Sequence, residues 1–370
     1  MKVETIWTMS NKLPNDKMEV LGWNPFFEKD FKSFKEEGFE AGRIAVENRN
    51  RYIIYSEFGE LAGEASGRML YSSLPSELPK VGDWVAMAVF PEEKKAIIHN
   101  VLPRKTQFSR NVAGKKTSEQ VVAANLDIVF IVQGLDGNFN LRRLERYLVM
   151  AHESKAQPAA ILNKADLCDD WEERAADVRA LAGDIPVFAV SAKTGMGVDE
   201  IKRLITPGVT VVFVGSSGVG KSTIINCMAG KDILETGDVR DGDSKGRHIT
   251  TRRELILLPD GGMLVDTPGM RELQLWSADG GIRETFADIE ELTKNCHYGD
   301  CTHTVEAKCA VLQAVEDGEL PVKRHENYVK MQKELSYLDT KQDKSLMLEM
   351  KKKDKAFGRM KKTFKKGKYA

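Results

Sequence analysis

A β-branched run over residues 209–214 leads into Gly215-Ser216-Ser217-Gly218-Val219-Gly220-Lys221-Ser222, which is followed by a helix-like stretch over 223–228. No other segment restricts the fold as strongly. The glycines allow a tight turn whose backbone N–H groups wrap phosphate oxygens. Lys221 then reaches the outer phosphates, and Ser222 and Thr223 open the helix, with the Ser222 hydroxyl placed for Mg²⁺. A strand, this loop and a helix in succession predict one corner of a doubly wound α/β sheet, with its ligand at the carboxyl ends of the strands.

Two further motifs end strand-like runs, and both lie upstream of the phosphate loop. Asn163-Lys164-Ala165-Asp166 follows Ala160-Ile161-Leu162, and Ser191-Ala192-Lys193-Thr194-Gly195 follows the run 187–190. A carboxylate at Asp166 accepts two hydrogen bonds from guanine N1–H and its exocyclic amine, a donor pair that adenine lacks. Backbone groups of the Ser191 segment can meet guanine O6 from the other side. In a Ras-like domain the phosphate loop comes first and the base-reading motifs come last. Here the order is circularly permuted, which leaves the same sheet possible and moves only the chain ends.

Downstream, Asp266-Thr267-Pro268-Gly269 follows another apolar run. Asp266 suits the water shell of Mg²⁺, and the Gly269 amide suits the γ-phosphate, so this segment is expected to respond when that phosphate leaves. Between the phosphate loop and Asp266 lies a polar stretch, 237–253, containing Gly246-Arg247-His248-Ile249-Thr250-Thr251-Arg252. Either Thr250 or Thr251 is expected on Mg²⁺ and the γ-phosphate. His248 is a candidate for orienting the attacking water. Met270 stands where Ras-like enzymes place a water-orienting Gln, so slow intrinsic hydrolysis is expected.

At 370 residues the chain exceeds one ordinary core, so two or three domains are expected. Aromatic residues Trp23, Phe26, Phe27, Phe31 and Phe34 predict an amphipathic helix over 20–36. Short alternating runs from Gly38 to Pro103 predict a small β-barrel. A polar linker is expected beyond Gln107, before the unbroken apolar run 127–132, which reads as a parallel strand buried on both faces. Helices are expected over 141–152 and 171–181. Cys296, Cys301, His303 and Cys309 fall within 14 positions, three thiolates and an imidazole suited to one closed, structural Zn²⁺. Formal net charge is zero, yet residues 351–370 carry ten Lys/Arg against the single Asp354, interleaved with Phe357, Phe364 and Tyr369. Such a tail fits an RNA-binding arm as well as it fits a solvated extension. No apolar run approaches the roughly 18 residues of a membrane span, and the start has no signal-peptide pattern, so a cytoplasmic protein without membrane contact is expected.

Taken together, NKAD, GSSGVGKS, GRHITT, DTPG, their permuted order and the Cys/Cys/His/Cys cluster resemble the ribosome small-subunit-dependent GTPase A family. The segment Leu78-Pro79-Lys80-Val81-Gly82-Asp83-Trp84-Val85 is similar to that family's barrel. Lys116-Thr117 with Glu119-Gln120 are similar to its lead into the nucleotide domain. The resemblance implies an OB-fold barrel over 38–110, a circularly permuted phosphate-loop GTPase domain over 111–278 and a mostly α zinc-binding domain over 279–340. An N-terminal segment, 1–37, and a basic tail, 341–370, flank them. It further implies GTP/GDP with Mg²⁺ as ligands, the small ribosomal subunit and its rRNA as partners, a monomeric state, and hydrolysis stimulated by the subunit. His248 falls where the family has a switch histidine implicated in hydrolysis. Ile249 departs from the Thr of many members, which leaves the Mg²⁺-contacting residue at 250 or 251. The alternative is an RNA-binding module whose nucleotide domain senses GTP but is catalytically idle.

Overall fold

The computed structural model describes residues 17–48, 50–111, 119–234, 253–266 and 279–340. These fall into two compact units. The first takes in residues 1–108, 121–147 and 154–272, and the second 109–120, 148–153 and 273–370. His248, Thr250, Thr251, Gly269, Met270 and the basic tail lie outside the described residues.

The first unit begins with a short helix α1 (Lys17–Val20) and a longer one, α2 (Pro25–Glu36). The single helix expected over 20–36 is therefore broken. Asn24 caps α2 by accepting from the Phe26 amide at 3.0 Å, and Pro25, which has no amide proton to lose, occupies its first position. Aromatic spacing alone hid this stop signal. Trp23, outside the helix, still packs edge-on against Trp84 at 4.8 Å between ring centroids.

Five strands follow: β1 (Glu40–Asn48), β2 (Arg51–Ser56), β3 (Gly59–Ala65), then after helix α3 (Gly67–Ser72) β4 (Trp84–Phe90) and β5 (Lys95–Val101). They pair in the order β1-β2-β3-β5-β4, and β4 returns to β1, which closes the small OB-like barrel that the alternating pattern predicts. Its interior is filled by Ile44, Ile54, Leu61, Val85, Met87 and Ile98. The segment read as a polar linker instead carries two strands, β6 (Gln107–Asn111) and β7 (Glu119–Ala124), which pair as a ribbon. Polar pairs join its outer residues, Ser109 donating to Glu119 at 2.7 Å and Arg110 to Gln120 at 2.9 Å, while Phe108 and Val121–Ala124 are buried. No hydrophobic alternation announces such a ribbon.

The nucleotide half alternates β8 (Ile128–Gly134), α4 (Leu141–Glu153), β9 (Gln157–Asn163), α5 (Trp171–Ala182), β10 (Val187–Ala189), α6 (Val198–Lys202), β11 (Thr210–Val214) and α7 (Lys221–Ala229). The hairpin β12 (Arg253–Leu257) and β13 (Met263–Asp266) completes it. Strands β10, β9, β8, β11 and β13 are parallel neighbours in that order, and antiparallel β12 joins the layer to β1 of the barrel. One eleven-stranded sheet thus runs through both halves of the unit. Every residue of β8 and of β11 is buried, Gln133 and Thr210 included, in keeping with their largely apolar character. Phe130 and Phe213 stack at 4.9 Å within a core that also takes Ile201 of α6 and Ile224 of α7.

Arg43 of β1 is the one buried arginine among the described residues, only 2% exposed. Its guanidinium donates to the carbonyls of Leu21, Gly82 (3.3 Å) and Asn125 (3.0 Å) and lies 3.4 Å from the Met263 sulfur. Burial pulls its pKa down to about 10 against the attraction of Asp127 and Asp83, so it stays charged at neutral pH.

The second unit contains helices α8 (Asp279–Thr285), α9 (Ala287–Thr293) and α10 (Ala310–Glu316) and a helical stretch over 322–340, with the last turn of α4. There α8 approaches the α4 backbone so closely that a side chain at Gly281 would stand 2.1 Å from the Val149 carbonyl. The Gly281 amide donates to Glu153 at 3.0 Å, and His152 pairs with Glu284 at 2.7 Å. Among the described residues, no helix is long and apolar enough to cross a membrane.

Candidate functional site

The phosphate loop links β11 to α7 at the carboxyl edge of the parallel layer, where the sequence places it. Val219 is buried, Ser216 and Ser222 are half-buried, and Ser217, Gly218 and Thr223 are exposed. The Lys221 ammonium donates to the carbonyls of Gly215 (2.9 Å) and Ser216 (2.8 Å), so its side chain lies along the loop it serves. Asp266 closes β13 opposite Glu254.

Asn163 ends β9 and joins three motifs. Its amide nitrogen donates to the Val219 carbonyl at 2.8 Å, and its amide oxygen accepts from the Ala192 N–H at 3.1 Å. The first bond is buried and the second partly so, Asn163 itself being 3% exposed. The phosphate loop must therefore come close. Gly220 has φ +94°, and a Cβ there would lie 2.3 Å from the Asn163 nitrogen. Ser191, fully buried, accepts from the Thr194 amide at 3.2 Å and shapes the turn that exposes Lys193. Lys164 adopts a left-handed backbone (φ 68°), after which Ala165–Leu167 form a single 3₁₀ turn with Asp166 exposed. The carboxylate assigned to guanine thus stands clear of the backbone, while Asn163 holds the frame.

One participant escaped the sequence reading. Asp136, just past β8, accepts from the Lys164 ammonium at 2.6 Å and from the Asn138 amide at 2.9 Å. Partial burial works against its ionisation, but the bonds from Lys164 and Asn138 outweigh it and hold the carboxyl below its ordinary value. The signal is thin, because Asp136-Gly137-Asn138 reads as an ordinary turn.

In the second unit, the donor atoms of Cys296, Cys301, His303 and Cys309 all lie within 4.8 Å of one another. The Cys296 and Cys309 sulfurs are 3.8 Å apart, and they lie 3.6 and 3.5 Å from His303 Nδ1. Tetrahedral zinc, with Zn–S about 2.3 Å and Zn–N about 2.05 Å, sets edges of about 3.8 and 3.6 Å. The residues therefore fit the metal in both chemistry and spacing. Burial, opposed by Glu306 and Glu290, holds the His303 imidazole below its ordinary pKa, in the neutral form that ligates. His325 approaches the His303 carbonyl at 2.8 Å.

A permuted sheet that brings the phosphate loop, the Asn163–Asp166 segment and Asp266 to the carboxyl ends of its parallel strands has the layout of a circularly permuted phosphate-loop GTPase. Comparison with known proteins agrees. A model of the RsgA GTPase family matches residues 101–276, and one described as 50S ribosome-binding GTPase matches 210–352. The small ribosomal subunit biogenesis GTPase RsgA of Opitutus terrae is 43% identical over 330 residues, 86% of this chain and 90% of that protein. Its namesake in Methanosarcina acetivorans is 40% identical over 338 residues, 91% of this chain and 90% of that one. Among solved structures, YjeQ from Thermotoga maritima superposes with a TM-score of 0.61 at 28% identity, over 80% of this chain and 98% of that one. YloQ, described as a circularly permuted GTPase, gives 0.57 at 25% identity, over 80% and 95%. The chain belongs to the RsgA GTPase family and is a GTP hydrolase.

Proposed function

We propose that this protein is a late maturation and checkpoint factor of the small ribosomal subunit, docking on its rRNA in the GTP state and leaving after hydrolysis. The observation that carries the reading is the junction at Asn163. It ties the guanine segment to the phosphate loop in a chain 43% identical to a small ribosomal subunit biogenesis GTPase. In this reading Asp166 selects guanine, and backbone groups of Ser191, Ala192 and Lys193 meet its O6. The loop 215–223 wraps the phosphates, with Lys221 on the outer ones. Ser222, Asp266 and one of Thr250 and Thr251 serve Mg²⁺, and the Gly269 amide meets the γ-phosphate. Mg²⁺ neutralises charge that builds on the phosphate oxygens. His248 orients the attacking water. Cys296, Cys301, His303 and Cys309 hold one structural Zn²⁺.

Residues 38–110, 111–278 and 279–340 serve as barrel, nucleotide and zinc domains of a cytoplasmic monomer. The barrel, the zinc domain and the tail over 341–370 supply the rRNA contacts. Beside the Cys/His cluster, an open cleft of about 830 Å³ carries Arg283, Lys294, Lys333 and Tyr298 on its wall, a combination of cations and ring that suits RNA. GTP turnover with and without purified small subunits tests the proposal. Strong stimulation is expected, and equal rates overturn it.

A further inference from the structure

Lys164 sits between two fixed points. Its backbone is set by the left-handed turn at the end of β9, where Gly134 and Asn163 are register partners and the Leu135 amide donates to the Asn163 carbonyl at 2.8 Å. Its ammonium is held by Asp136 Oδ2 at 2.6 Å. Asp136 is itself fixed, because its other oxygen accepts from the Asn138 amide at 2.9 Å. The four-carbon stem between these anchors is ordered before any ligand arrives. Ordering a free lysine side chain costs up to roughly 2 kcal/mol, so a site that holds it beforehand binds more tightly than one that must collect it.

The pair also determines what Asp166 can do. Asp166 is exposed and lies two residues beyond Lys164. A lysine without a partner at that distance is free to neutralise it, and a carboxylate engaged by an ammonium accepts less well from guanine. Asp136 is a competing anion that keeps the Lys164 charge away from the reader.

We propose that Asp136 is a positioning residue of the nucleotide site, fixing the Lys164 side chain and leaving the Asp166 carboxylate open to guanine. This rests on reading 163–166 as the base-recognition segment. Because the action is at the base end, GTP and GDP feel it equally. The pair is part-exposed, each side chain about a quarter accessible, so the effect is moderate.

Fluorescent GTP and GDP analogues titrated into the full-length protein test this. Asp136→Ala is expected to weaken both by the same factor, about 5-fold. Asp136→Asn, which keeps an acceptor oxygen, is expected to recover part of the loss. In a Lys164→Met background, which keeps an apolar stem and removes the charge, Asp136→Ala is expected to change little. Equal loss in both backgrounds, loss for GTP alone, or no loss in either overturns the inference. Asp166→Asn is titrated in parallel with xanthine nucleotides. If it fails to exchange guanine for xanthine preference, the base assignment is at fault. An intact exchange without Asp136–Lys164 coupling overturns the present inference alone.

Discussion

The nucleotide site and the Cys/His cluster are built in opposite ways. The first gathers Asp136, Asn163, Lys164, Ala192 and Val219, residues up to 83 positions apart, and holds them with hydrogen bonds between strand-end loops. The second lies within 14 consecutive positions and brings its donor atoms within 4.8 Å of one another. A site of the first kind is as exact as the register of its parallel strands. A site of the second kind depends on its ligand, since short helices alone bury too little to order a loop.

Metal removal breaks the comparison most forcefully. Chelation, or Cys309→Ser, is expected to remove the zinc proposed at this cluster, binding worth on the order of 10 kcal/mol. Residues 296–316 are expected to lose hydrogen-exchange protection while the nucleotide affinity of the first unit is retained. Unchanged protection would mean that helix packing, and not metal, holds the cluster.

Gly220→Ala attacks the other site. The left-handed backbone costs a side chain about 1–2 kcal/mol, and unseating the buried Asn163 amide about 1–3 more. The combined loss of about 3 kcal/mol corresponds to roughly 100-fold weaker GTP binding. Retained affinity in a calorimetric titration would show that the loop accommodates a Cβ and that Asn163 is not the junction. The Cys/His cluster is expected to be unaffected.

The smallest expected effect sharpens the picture of the second unit. Burial lowers the His152 pKa more than the Glu284 carboxylate raises it. With the folded value below the unfolded one, the unfolded chain takes up the proton first as pH falls. Stability is therefore present above about pH 6.5 and declines below it. Thermal melts from pH 8 downward should show this slope in the wild type and a flatter one in His152→Gln. Parallel slopes would locate the titration elsewhere.

How much was legible follows the same division. Strands β8, β9 and β11 announce themselves because a strand buried on both faces has to be apolar throughout. Where polar and apolar residues share a short element, pattern fails: the ribbon of β6 and β7 reads as linker although Phe108 and Val121–Ala124 are buried, and β12 begins at Arg253, the last residue of what reads as a polar loop. The break at Asn24-Pro25 was readable from capping chemistry but was overruled by aromatic spacing. Asp136 was invisible because its partner Lys164 is 28 residues away and only strand register brings them together. The Arg43 node, which joins carbonyls of Leu21, Gly82 and Asn125, was hidden for the same reason.

By itself the sequence determined the class, a circularly permuted phosphate-loop GTPase with a Cys/His cluster that fits zinc, and from it come the proposals of guanine at Asp166 and phosphate at 215–222. These are local signals, since each needs only a few adjacent residue types with the right donors or acceptors. Tertiary structure alone decided that Asn163 ties loop to loop, that Asp136 anchors Lys164, and that β12 fuses the barrel to the nucleotide sheet through β1. Hydrogen bonds between distant segments carry no local pattern, because any polar pair that the strand register brings within about 3 Å will serve.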